Sequence, residues 1–161
     1  MYTISFKGLS LGSHVFDWTI DGNFFASYTM SEIGNASIDV QLIMVKHTRF
    51  LELTFILKGW AEVDCDRCLH PVNLDIASKS QMYVKFENHV DDENSEENDV
   101  IVLSNDEDLL DVAQYLYEYA HLSLPIRRVH PDDTDGQSTC NQEMLLKLKQ
   151  YLVKENLEQD S

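Results

Sequence analysis

The chain has 161 residues, enough for one ordinary domain and too few for two comfortable ones. Its hydrophobic fraction of 43% supports a real core and argues against wholesale disorder, and no apolar run reaches bilayer length. Acids outnumber bases 28 to 12, a net charge of −16 that disfavours broad, non-specific binding to nucleic acid.

The charge is uneven. Residues 1–86 carry 9 acids and 7 bases, whereas residues 87–161 carry 19 acids and 5 bases. Such a field attracts basic partners, although acidity also serves plain solubility. The N-terminus lacks a basic stretch followed by an apolar one, so no signal peptide is expected. Three cysteines cannot all pair with one another, which suits a reduced, cytoplasmic setting.

The first half reads as strands. Residues 2–6 and 14–20 are short, β-branched and aromatic, punctuated by Gly8, Gly12 and Gly22. In 36–45, Ile38, Val40, Leu42 and Met44 share one face and Ser37, Asp39 and Gln41 the other, the period of a half-buried strand. Residues 49–59 repeat the pattern with Leu51, Leu53, Phe55 and Leu57 inward, so polar 46–48 predicts a hairpin turn. Gly59 interrupts that face before Ala61, Val63 and Cys65 resume its parity. A further extended segment follows over 71–86.

Residues 87–99 carry seven acids and no base, which predicts a solvated loop. A short strand at 99–103 leads into 104–125. There Ser104 and Glu107 have capping-box spacing, and Leu109, Val112, Ala113, Leu116 and Ala120 form an apolar stripe ending at Pro125. Tyr115, Tyr117 and Tyr119 are expected to be partly buried packing residues. A last helix is expected at about 142–156, with Met144, Leu145, Leu148 and Leu152 on one side. The predicted fold is α+β: one domain, 1–161, with an antiparallel, barrel-like sheet in 1–86, an acidic loop at 87–99 and a mostly helical part over 100–161 that holds two C-terminal helices.

Cys65 and Cys68 are separated by two residues in a turn after a strand, spacing that lets two thiolates span one edge of a metal tetrahedron. Partners are few. Cys140 is the only other thiol, and His130 lies ten residues before it; His70 stands too near the pair to be the natural third ligand. Thr139 and Gln142 suggest a cap that puts Cys140 in the first turn of the last helix, where N–H groups stabilise a thiolate. Cys65, Cys68, His130 and Cys140 are therefore the candidate ligands of a structural zinc. Two other readings stand beside it: a thiol redox site, which usually opens a helix where this turn meets Pro71, and cysteines serving simply as small core residues. No His-x-x-x-His or carboxylate cluster accompanies the thiols to suggest a metallohydrolase.

In order, a β-rich start, "GWAEVDCDRCLHPV" (59–72), a strand, an acidic loop, "EDLLDVAQYLYEYAHLSLPIRRVHPD" (107–132) and a trailing cysteine resemble the YceD-type large ribosomal RNA subunit accumulation proteins. The specific pieces are Cys65-x-Arg67-Cys68 and the run from Leu122 to Pro125 followed by His130 and Cys140. The interval between His130 and Cys140 is longer than the family pattern, and the second close cysteine pair of some relatives is absent. The resemblance implies a non-enzymatic cytoplasmic bacterial factor needed for large-subunit (23S) ribosomal RNA to accumulate, with no small-molecule substrate and no membrane role. The expected partners are a basic ribosomal protein or a pre-ribosomal RNA element. Arg67, Arg127 and Arg128 are candidate phosphate or partner contacts, against the plainer reading of a solvated loop balancing nearby acids. The alternative function is a zinc-stabilised or redox-active protein whose thiol chemistry is unrelated to ribosomes.

Overall fold

A computed structural model describes residues 2–87, 100–131, 140 and 142–159, with side chains of the last helix described at 142–147 and 149–151. Among the described residues ten elements follow one another: β1 (Thr3–Ser5), β2 (Gly12–Asp21), α1 (Gly22–Ala26), β3 (Ala36–Lys46), β4 (Phe50–Asp64), β5 (Pro71–Glu87), β6 (Val100–Ser104), β7 (Leu109–Asp111), α2 (Ala113–Leu122) and α3 (Gln142–Gln159). Most of the predicted acidic loop, residues 88–99, lies outside the described residues.

Strands β2 to β5 form an antiparallel meander, and β6 adds to β5 in parallel, giving the order β2-β3-β4-β5-β6. The alternating pattern sets the register. Val40 faces Leu57 and Leu42 faces Phe55 across β3 and β4, so their apolar sides line one surface. Ile38, Leu42, Met44, Leu53, Phe55 and Leu57 are each fully buried there. The hairpin turn falls at 47–49, one residue later than the predicted 46–48, and the His47 amide donates to the Phe50 carbonyl (2.9 Å).

The architecture is the expected α+β, but the sheet is not closed. β2 and β6 are its two edges, with no ladder between them. The covering layer takes the place of a second wall. β1 pairs with β7 as a separate two-stranded sheet, with Ile4 opposite Leu110. Phe24 and Phe25 of α1 and Leu116 and Ala120 of α2 complete the core. The tyrosines of α2 do pack: Tyr117 stacks on Tyr28 (4.1 Å between ring centres) and Tyr119 lies against Phe55 (5.1 Å).

The helix expected from 104 begins at Ala113 instead. Ser104 accepts the Asp106 amide on its hydroxyl (3.3 Å) and the Glu107 amide on its carbonyl (3.1 Å), which makes a turn and not a cap. Residues 109–111 are then captured by β1, and Leu109 is 56% exposed, outside the predicted stripe. Non-local pairing outweighs a favourable local signal. The first turn of α2 is held by Asp111, whose carboxylate accepts the Ala113 amide (2.9 Å).

At β4's fifteen residues and roughly 3.3 Å per residue, the long strands place the hairpin turn and the cysteine turn about 50 Å apart along the chain. Gly59 lets them pass β3. Its φ is +155°, and a Cβ there would sit 2.0 Å from the Ser37 carbonyl oxygen and 2.8 Å from the Ile38 Cα. Both obstacles are backbone, so they cannot swing away. Gly59→Ala is expected to destabilise the protein by upwards of about 3 kcal/mol, read as a lower midpoint in urea, whereas Gly8→Ala, where nothing lies within 4 Å, stays near wild type.

Candidate metal centre

The turn between β4 and β5 is closed at both ends by its own backbone. Cys65 N–H donates to the His70 carbonyl (2.9 Å), and Leu69 N–H donates to the Cys65 carbonyl (2.9 Å). The tight reversal puts Leu69 at φ 64°, a left-handed conformation that costs a branched side chain about 1–2 kcal/mol. Cys65 and Cys68 both turn inward and are fully buried.

The segment after α2 comes back to this turn. Asp66 N–H donates to the Arg128 carbonyl (2.8 Å), and Arg128 N–H returns a bond to the Asp66 carboxylate (3.3 Å). The Arg128 guanidinium also binds Glu32 and donates through Nε to the Pro125 carbonyl (3.3 Å). That hydrogen bond and the arginine charge hold the Glu32 carboxyl below its ordinary range. These contacts carry His130 to the cysteines.

The four predicted ligands meet. Cys65 Sγ is 3.6 Å from Cys140 Sγ, Cys68 Sγ is 3.5 Å from His130 Nδ1, and all four donor atoms lie within 4.8 Å of one another. A zinc ion bonded at about 2.3 Å to sulfur and about 2.0 Å to nitrogen gives tetrahedral edges of about 3.8 Å between sulfurs and about 3.6 Å from sulfur to nitrogen. The Cys65–Cys140 and Cys68–His130 separations match those edges.

His130 is oriented for such a role. Its Nε2 lies 3.0 Å from the Pro71 carbonyl, which can only accept, so Nε2 carries the proton. In the neutral ring Nδ1 then keeps its lone pair, directed at the cysteine side. Burial pushes the Cys65 thiol up, but the backbone N–H groups of Cys68, Arg67 and His130 outweigh it, pulling its pKa from 9.0 to about 6. Amides aimed at sulfur favour the anion, and the anion is the form that ligates a metal.

Cys140 is buried beside the pair but stands two residues before the first helical residue, Gln142, rather than in the first turn of α3. Thr139, the expected cap, lies outside the described residues; Gln142 reaches back, its amide Nε2 donating to the Cys140 carbonyl (3.4 Å). The expected arginine contacts divide. Arg67 and Arg127 line one cleft of about 260 Å³ with Val129, His130 and Pro131, whereas Arg128 is engaged with Glu32. Sequence reasoning missed the Pro71 carbonyl and the Asp66–Arg128 pair. Neither leaves a spacing signal, because each depends on two turns meeting in space.

A strand-rich sheet whose β4–β5 turn and C-terminal segment meet through three buried cysteines and a histidine defines a class of α+β protein in which a thiol-imidazole cluster joins distant parts of one chain. The chain belongs to the family of large ribosomal RNA subunit accumulation protein YceD, whose family model matches residues 53–160, from near the start of β4 to just past the end of α3. The motif resemblance is thus borne out, and β1 to β3 lie ahead of the matched region. No curated protein and no solved structure matches the chain. No helix among the described residues is long and apolar enough to cross a membrane.

With its pKa lowered from 9.0 to about 6, Cys65 is ionised across the interval in which an unfolded cysteine is not. The stability it contributes is present above the unfolded value and disappears as pH falls through about 6. In reduced, chelator-treated protein, one thiolate should appear by ultraviolet absorbance near pH 6, and Cys65→Ser should abolish that step.

Proposed function

We propose that this chain supports the accumulation of large-subunit (23S) ribosomal RNA as a non-enzymatic assembly factor, holding a basic ribosomal protein until it is incorporated. Membership of the YceD family is the observation that carries the reading. The charge supports a protein partner over an extended grip on RNA: residues 87–161 hold 19 acids against 5 bases, a field that steers cations in and repels phosphates. Arg67 and Arg127, sharing one cleft, are the positions where a local phosphate contact would be made.

Within that role, Cys65, Cys68, His130 and Cys140 would hold a structural zinc. The ion would supply cross-linking and charge neutralisation among thiolates, joining β4 and β5 to the segment that enters α3. The donor set leaves no open coordination position, which suits structure rather than catalysis. The redox reading is weaker because β5 begins at Pro71, so no helix N-terminus follows Cys68 to activate a nucleophile.

Protein purified without chelator should contain about one zinc per chain, by elemental analysis with mass spectrometry to exclude a disulfide. Cys140→Ser should lose most of it, and chelation should lower the melting temperature by about 10 °C or more. Metal-free protein of unchanged melting temperature would refute the structural ion.

In cells, crosslinking and pull-down at low salt should recover a basic ribosomal protein or large-subunit precursor RNA, with recovery falling as salt rises. Recovery of neither would refute the assembly reading. A full thiol-disulfide exchange activity lost in Cys65→Ser would favour the redox alternative.

A further inference from the structure

Strand β2 is an unguarded edge. Its ten residues, Gly12–Asp21, pair with β3 on one side, and among the described residues no strand pairs with the other. Isolated edges are normally blunted by proline, lysine, a bulge or brevity. The sequence "GSHVFDWTID" contains no proline, lysine or arginine, and the register with β3 runs unbroken from Gly12 to Asp21. The opposite edge, β6, has only five residues.

The two faces of this edge differ in chemistry. Asp17, Thr19 and Asp21 project to the outer side and are exposed, beside Asp39 of β3. Thr19 donates to Asp39 (3.0 Å) and Gln41 to Asp17 (3.4 Å), so the carboxylates are ordered but accept only neutral donors there. Lys58 lies one strand further in, opposite Asp39. On the inner side, Phe16 and Trp18 stack with parallel rings (6.1 Å, 10°); Tyr2 meets Trp18 edge-on (6.0 Å), and Phe16 and Trp18 remain only partly buried.

We infer that the free edge of β2 takes up an extended basic segment of a protein partner as a sixth strand, with the partner's cations on the Asp17–Asp21 side and its apolar residues against Phe16 and Trp18. Main-chain hydrogen bonds supply affinity in such strand addition, and alternate side chains supply selectivity. The recognised sequence therefore alternates basic and apolar residues and lacks proline. A second copy of this chain is a poor occupant. Symmetric pairing centred on Thr19 sets Asp17 against Asp21, and like charges directly opposite are destabilising. This inference rests on the assembly reading only for the partner's identity as a basic ribosomal protein; the edge itself is a separate observation.

The test uses the full chain carrying Trp60→Phe, which leaves Trp18 as its only indole, and a synthetic peptide alternating lysine and valine. Titration should shift Trp18 emission to the blue. N-methylation of alternate peptide amides, made in both phases, should weaken binding about tenfold or more in one phase only, and Asp17→Lys should weaken it about tenfold. Absence of binding, an unmoved Trp18 emission or equal affinity for both N-methylated peptides overturns the inference, as does a dimer of the chain that the peptide dissociates. Retention of a ribosomal protein equally by wild type and Asp17→Lys would also overturn it while leaving the assembly reading intact. Peptide capture by a chain that recovers no ribosomal component from cells would sink the assembly reading and leave the edge standing.

Discussion

A single meeting of two turns organises the thiol-imidazole cluster of this molecule. The reciprocal bonds between Asp66 and Arg128 bring a loop 62 residues away in sequence onto the β4–β5 turn. From that contact follow the approach of His130 to Cys68 and the enclosure of Cys140 beside Cys65. Backbone amides cannot relocate as side chains can. One main-chain bond and one amide-to-carboxylate bond therefore fix the geometry in which three sulfurs and an imidazole nitrogen converge, and Glu32 secures the arginine from the far side.

The sheet provides the platform. Alternation in β3 and β4 makes one surface wholly apolar, and the opposite surface, with Asp39, Gln41 and Lys58, remains in water. That asymmetry explains an open sheet capped on one side by α1, α2 and the β1–β7 pair: a solvated face needs no second layer. Ser78, whose hydroxyl is buried without a hydrogen-bond partner among the described residues, lies in β5 opposite Leu57.

Much of this was legible in the sequence because it is local. Ile38 to Met44 and Leu51 to Leu57 announce their strands through a period of two, and the polar residues between them mark the turn. The start of α2 was misread because Ser104 and Glu107 satisfy a local rule, whereas the competing partner of residues 109–111 is β1, more than a hundred residues away. Helix α1 has only five residues, too short for periodicity to register. The four-residue cluster was legible for a different reason. With three thiols in the chain, scarcity did the work that spacing could not, and His130 stood out as the histidine nearest Cys140. The orientation of the imidazole was beyond reach, since it is decided by a carbonyl of Pro71.

Strand β3 begins at Ala36, opposite Ala61, so the tip of β4 and β5 runs on beyond it, paired chiefly with itself and, at Glu62, with Gly34 and Asn35. A two-stranded ribbon is barely self-supporting in water. During synthesis this tip must wait, exposed, until residues as late as Cys140 have emerged to cover it. Its final enclosure therefore cannot precede the synthesis of Cys140, although every residue of the tip itself was made before the chain was half complete.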